Sequence, residues 1–299
     1  MRVAAVQWAW RTGGSRQALE DALCEPLQQA VQAGAELVVF AAGVDRALAE
    51  GLSGWQPPYG AAGGVSALSG APAPGYELHC EFERLGRSLA RAYPATLALG
   101  SVLWPASGGF QRVAMLYGPG GQVLGTQGQT HRSPTERAGG LQVAEVLAPI
   151  ATPVGPIGIL NGVDVEYPEV SRILCLQGAT ILVHHGELSA FSEAVALSRL
   201  WREVQANQVF GVEAYSVWRE HRGRSGILAP IEMTADGSGW LARAPDDRQP
   251  AVVLADLDFE RLKAVVDAYP IYSLRNPGQY RRYFPLLYER CQETGSDRP

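Results

Sequence analysis

The residues that invite chemistry gather in the stretch GPIGILNGVDVEYPE, from Gly155 to Glu169. It reads as an apolar strand that stops, turns, and enters a helix opened by Pro168 and Glu169, the setting in which α/β proteins commonly present a nucleophile. The turn itself offers Asn161, Gly162 and Val163, and none of these can attack a carbonyl carbon. Either the nucleophile comes from elsewhere or the turn does not run covalent chemistry.

Other reactive residues are scattered. The four cysteines, Cys24, Cys80, Cys175 and Cys291, form no C-x-x-C pair, which suits reduced thiols better than a disulfide framework or a zinc site. Cys175 lies in the apolar face of RILCLQ and is expected to be a small core residue. No G-x-S-x-G elbow supplies a serine instead. The only lysine, Lys263, falls in the last amphipathic stretch, where a solvated amine is expected. His184 and His185 follow the strand TILV, so alternation turns one of them toward the space beneath the turn. With His131, Glu136 and Asp164, which the resemblance given below implies are nearby, a metal site can be imagined, but the spacing matches no ligand motif, and neither metal nor cofactor is expected. Asp164 and Glu166 are placed to cap the helix starting at Tyr167-Pro168. Arg132 and Arg137 are expected to be solvated or to pair with Glu136. Trp8, Trp10 and Trp201 are candidates for an interface.

These residues need a scaffold, and the pattern of the chain predicts one. RVAAVQW is strand-like, SRQALEDALCEPLQQAVQAGA has helical spacing with Ser15 as N-cap and Gly34 as stop, and ELVVF is a short buried strand. Residues 41–75 are rich in Gly, Ala, Pro and Ser and read as a long loop over the site. A helix over LHCEFERLGRSLARAY and the strand ATLALGSVLW follow. QRVAMLYGPGGQVLGTQ then reads as a hairpin turning at Gly118-Pro119-Gly120-Gly121. The second half repeats strand and helix through EAVALSRLWREVQANQ and FGVEAYSVW. It adds a hairpin at Asp236-Gly237 and ends in AVVLADLDFE, FERLKAVVDAY and a Pro- and Arg-rich tail from about residue 270. Two mixed sheets, each covered by helices on one face, give an α/β four-layer α-β-β-α sandwich. The embedded hairpins count against a three-layer doubly wound sheet.

At 299 residues and 46% hydrophobic content the chain can bury a large core as one α/β unit or as two domains, and the resemblance given below implies one domain over residues 1–299. Its net charge of −5 argues against nucleic acid and anionic membranes as partners. No apolar run is long enough to span a bilayer and the N-terminus does not resemble a secretory leader, so a cytoplasmic protein is expected.

The order of segments resembles the nitrilase superfamily of carbon-nitrogen hydrolases along nearly the whole chain. VAAVQ looks like its first strand, AELVVF like the strand leading to its glutamate, and YGPGGQVLGTQGQTHRSPTER like the hairpin and loop carrying its lysine. GPIGILNGVDVEYPEVSRILCLQGATILV looks like its nucleophile elbow. The resemblance implies acyl transfer by a cysteine, with a glutamate base, a lysine cation and a second, orienting glutamate. Carried over by position, the base falls on Ala42, the lysine on Gln129 before Thr130-His131, and the cysteine on Gly162. Only the second glutamate is kept, as Glu136. The resemblance therefore implies a degenerate site whose pocket, lined by Asn161, Val163, Asp164, His131, His184 and His185, binds a small molecule or serves a partner. Hydrolysis through Glu136 and water is the alternative, and a structural subunit the second. Helices similar to YPEVSRILCLQ and LSRLWREVQANQ imply a homodimer or higher homo-oligomer.

Overall fold

The computed structural model describes residues 1–10, 15–50, 75–218 and 220–294. Two sheets form. The first has the order β11-β1-β2-β3-β4-β5, built from β1 (Arg2–Gln7), β2 (Leu37–Phe40), β3 (Thr96–Ala106), β4 (Gly109–Tyr117), β5 (Val123–Gly128) and β11 (Ala251–Asp256). The second has the order β10-β9-β8-β7-β6, from β6 (Ile157–Asn161), β7 (Ile181–Gly186), β8 (Phe210–Tyr215), β9 (Gly226–Leu228) and β10 (Trp240–Arg243). In each sheet three strands run parallel, β1-β2-β3 and β6-β7-β8, and the expected hairpins β4–β5 and β9–β10 supply antiparallel strands.

Strand alternation divides the core. Ile157, Ile159, Ile181, Val183, Phe210 and Val212 pack between the sheets. Leu160 and Leu182, one residue out of phase, pack outward with Val170, Leu174, Leu200 and Val204 of α5 (Pro168–Leu176) and α7 (Leu200–Asn207). On the far side, α1 (Arg16–Gln32) buries Leu19, Leu23, Leu27 and Ala30, and α3 (Gly75–Ala92) buries Leu78, Phe82, Leu85 and Leu89. Both stripes repeat at helical spacing, which is why these segments are helices. The four-layer sandwich follows, with the carboxyl ends of β2, β6 and β7 on one rim, where open α/β sheets usually receive ligands.

Several expectations need correction. The loop expected over residues 41–75 begins with a helix, α2 (Val44–Glu50), while residues 51–74 lie outside the described set. The long helix expected over 193–208 is two, α6 (Glu193–Leu197) and α7, because Arg199 leaves the helical region at φ −111°, ψ −127°. Beyond α8 (Phe259–Ala268) the tail contains α9 (Pro277–Thr294), which Pro-rich composition concealed. Trp8 and Trp10 are buried in the chain's own core, and Trp201 donates to the Ser238 carbonyl at 2.8 Å, so none of them is needed to explain an interface.

Candidate functional site

β6 ends at Asn161, and Gly162 opens a short 3₁₀ turn, Gly162–Glu166, at φ +52°. That left-handed backbone favours glycine over any L side chain. A Cβ at this position would stand 2.9 Å from Gln129 Oε1, so the Gln129 side chain occupies the space into which a residue at the apex would project. Gln129 is completely buried. Its Nε2 donates to the His131 carbonyl at 2.7 Å and to Glu136 Oε2 at 3.1 Å. Both partners only accept, which fixes the amide with its oxygen toward Gly162.

The hydrogen bonds of Glu136 are local. Ser133 caps α4 (Pro134–Ala138): Ser133 N donates to Glu136 Oε2 at 2.8 Å and Glu136 N to Ser133 Oγ at 3.2 Å. This is a capping box, and the Ser-x-x-Glu spacing of SPTE is the signal for it. Arg132 and Arg137 do not pair with Glu136; Arg132 donates to the Leu141 carbonyl and Arg137 is exposed.

Asp164 does not cap the following helix, contrary to expectation, since Tyr167 is the N-cap of α5 and makes no side-chain bond there. Its fully buried carboxylate turns back to the loop after β5. It accepts from His131 N at 2.8 Å, Thr130 Oγ1 at 2.9 Å and Thr130 N at 3.1 Å, with His131 Nδ1 at 3.3 Å. Those charge-assisted bonds offset the cost of burying a carboxylate. His131 stacks on Tyr167 with ring centroids 3.8 Å apart. Glu166 instead pairs with Arg199 at 2.8 Å. Val163, half-buried, contributes no polar group.

The paired histidines lie within β7 and face opposite ways. His184 points to the helix side, where Nδ1 meets Glu213 Oε1 at 2.8 Å, Nε2 meets the Gly162 carbonyl at 3.2 Å, and Tyr215 Oη donates to the same Glu213 oxygen at 2.7 Å. His185 points between the sheets and donates from Nδ1 to the Phe40 carbonyl at 2.7 Å, just before Ala41-Ala42. Burial pulls its pKa down to about 4, so the ring is neutral at pH 7. Asn161, its register partner, donates to the Gln127 carbonyl at 2.7 Å. Three buried atoms near the elbow, Gln129 Oε1, Asn161 Oδ1 and His185 Nε2, have no hydrogen-bond partner among the described residues. The donors already committed on each side chain make all three acceptors.

Four charged residues, Arg112, Asp45, Arg46 and Glu187, escaped sequence reasoning. Arg112, on β4, places Nη1 3.9 Å from Asp45 Oδ2 and Nε 4.0 Å from Glu136 Oε1, bridging the segment after Ala42 to the loop of Gln129. Burial raises the pKa of Asp45 against the opposing pull of Arg112 and Arg46. Arg46 pairs with Glu187, which also lies 3.4 Å from His221 Nε2. Burial opposes the charge of Glu187, but Arg46 outweighs it and holds the carboxyl below the ordinary range. An arginine within an alternating strand gives no warning of such a role.

None of the described cysteines, Cys24, Cys80 and Cys175, lies in the elbow. Cys175 is buried, and burial pushes its thiol up to about 12. Cys24 and Cys80 belong to α1 and α3, and the side chain of Cys291 is outside the described set. Lys263 is exposed and pairs with Asp267 on its own helix. Among the described residues no group of three or more His, Cys, Asp or Glu side chains is arranged to hold a metal ion, and no helix is long and apolar enough to cross a membrane.

A family model described as Carbon-nitrogen hydrolase matches residues 2–266. Human deaminated glutathione amidase is 26% identical over 230 residues, 69% of this chain and 69% of that protein. A hydrolase of Schizosaccharomyces pombe is 21% identical over 214 residues, 67% of this chain and 64% of that one. The potato N-carbamoylputrescine amidase is 27% identical over 142 residues, 44% and 47% of the two chains. The matches therefore span from 47% to 69% of these relatives. Among solved structures, a carbon-nitrogen hydrolase from Helicobacter pylori G27 superimposes with a TM-score of 0.71 at 20% identity, covering 94% of this chain and 98% of that one. An amidase from Nesterenkonia sp. AN1 gives 0.70 at 19% identity, covering 95% and 99%. These likenesses extend to the fold.

Proposed function

Since the chain belongs to the carbon-nitrogen hydrolase family, we propose that it is a member without thiol chemistry, which uses the remodelled elbow to bind a small cytosolic ligand or to serve a partner. The observation that carries this reading is that Gln129 Oε1 stands 2.9 Å from where a Cβ at Gly162 would lie. A neutral amide fills the place where a nucleophile would project, and Ala42 stands where the resemblance puts the base. The three buried acceptors around the elbow support a ligand with N–H or O–H donors, since unpaired buried acceptors are costly until a donor meets them.

Water activation by Glu136 is less well supported. The Oε2 of that carboxylate already accepts from Ser133 and Gln129, and its other oxygen lies beside Arg112. The test is ammonia release by the purified chain from a panel of amides, nitriles and carbamoyl compounds. No turnover is expected; turnover that disappears in Glu136→Gln would overturn the reading.

Association of two copies through α5 is a second part of the proposal, favoured by the exposed Ile173 and Leu176 on that helix and Leu197 on α6. Sedimentation at micromolar concentration should show a dimer that Leu176→Asp weakens. A strict monomer would remove it.

A further inference from the structure

Outside the elbow, α3 carries a basic groove. Arg84, Arg87, Ser88, Arg91 and Ala92 line a cavity of about 530 Å³, within the range of small-molecule sites. The three arginines lie at i, i+3 and i+7 on one helix face, spread over about 10 Å of axis. Two of them are fixed in place by the β4–β5 hairpin. Arg87 donates from Nη1 to the Gly121 carbonyl at 3.1 Å and from Nε to Glu83 at 2.7 Å, while Arg91 donates from Nε to the Gly120 carbonyl at 3.3 Å. Gly121 has φ +77°, and a Cβ there would lie 2.5 Å from Arg91 Cγ and 2.6 Å from the Arg87 carbonyl. The glycine turn is what lets the hairpin lie under the two arginines.

The groove holds more positive than negative charge. Arg84 pairs with Glu81, which Arg16 also contacts at 2.6 Å, and Arg87 pairs with Glu83. Among the described residues no carboxylate pairs with Arg91. Arg87 spends Nε and Nη1 on these bonds and Arg91 spends Nε alone, so each keeps further N–H donors, about one turn apart beside the Ser88 hydroxyl.

We propose that this groove binds a small phosphate-bearing anion, with Arg87, Arg91 and Ser88 as its contacts. A tetrahedral phosphate can engage two guanidinium forks and a hydroxyl together, whereas a carboxylate fills a single fork. The lining has no aromatic ring to stack a base, so charge and hydrogen bonding carry the recognition.

The full chain is titrated by calorimetry with inorganic phosphate, pyrophosphate and acetate at matched ionic strength. Pyrophosphate is expected to bind about tenfold more tightly than acetate, with affinity that falls as salt rises. The exposed pair Arg84→Gln, Arg91→Gln should abolish that preference while the circular dichroism spectrum stays unchanged. Ser88→Ala, which keeps every charge, should weaken phosphate and leave acetate alone. Equal binding of acetate and pyrophosphate, no heat at about 10 mM anion, above the weak end of ordinary affinities, or a double variant that binds like the parent would each overturn the proposal.

Discussion

The apex of the elbow and the frame that holds it differ sharply within one small region. The frame is dense with hydrogen bonds: Asp164 clamps Thr130 and His131, Glu136 and Ser133 close a capping box, and His184 joins Gly162 to Glu213 and Tyr215. Among the described residues the apex carries Gly162 and the amide of Gln129. The difference teaches where the structural cost lies: the frame residues hold buried partners, and the apex residues hold few. A carboxylate buried among donors cannot be removed cheaply, whereas replacing a reactive polar group in a pocket can stabilise the fold.

The comparison is broken most severely at Asp164. Asp164→Ala strips the partners from two backbone N–H groups and a hydroxyl, and a loss of about 3–5 kcal/mol is expected in chemical denaturation. A loss below about 1 kcal/mol, the scale of one ordinary hydrogen bond, would show that the frame is not held as described.

His185 gives the next largest effect. Its folded pKa of about 4 lies below its ordinary value of 6.5, so the unfolded chain takes up the proton first as pH falls. The stability it contributes is complete above about pH 6.5 and is lost on descending toward pH 4, by about 3 kcal/mol. Denaturation midpoints across that window should show a slope that His185→Leu flattens. An unchanged slope would remove His185 as its source.

The apex itself should respond less. Gly162→Cys places a side chain in left-handed backbone against Gln129, at a cost of about 1–3 kcal/mol, and should produce no hydrolysis. Adding Gln129→Ala should recover part of the stability. If the cysteine is tolerated without cost, or is active by itself, the apex is not blocked.

The smallest effect is chemical and concerns Cys175. In the native chain it should react with iodoacetamide far more slowly than Cys24 or Cys80, since burial keeps its thiol protonated; equal rates under native conditions would contradict its place in the core.

Much of this was legible before the structure. Ser15, Gly34 and the spacing of Leu19, Leu23 and Leu27 marked α1, and the glycines at 118, 120 and 121 marked a hairpin, because capping and turn chemistry are local. What the sequence concealed depends on distant partners. Asp164 looked like a helix cap because its nearest free N–H groups in sequence are those of α5, yet in space they belong to Thr130 and His131. Arg112 became a site residue only when β4 was brought beside α2 and α4, and the opposite roles of His184 and His185 rest on which sheet face each strand position presents. The break between α6 and α7 arises at a single residue, Arg199, which composition does not single out.

Site-resolved cysteine labelling tests the central claim most directly. The native chain is exposed to fluoroacetamide at pH 7 and each cysteine is followed by peptide mass spectrometry. No cysteine is expected to react faster than an ordinary exposed thiol, because none of the described cysteines is coupled to a base at the elbow. Selective labelling of one cysteine about a hundredfold faster than a free thiol would reveal an activated nucleophile and contradict the account.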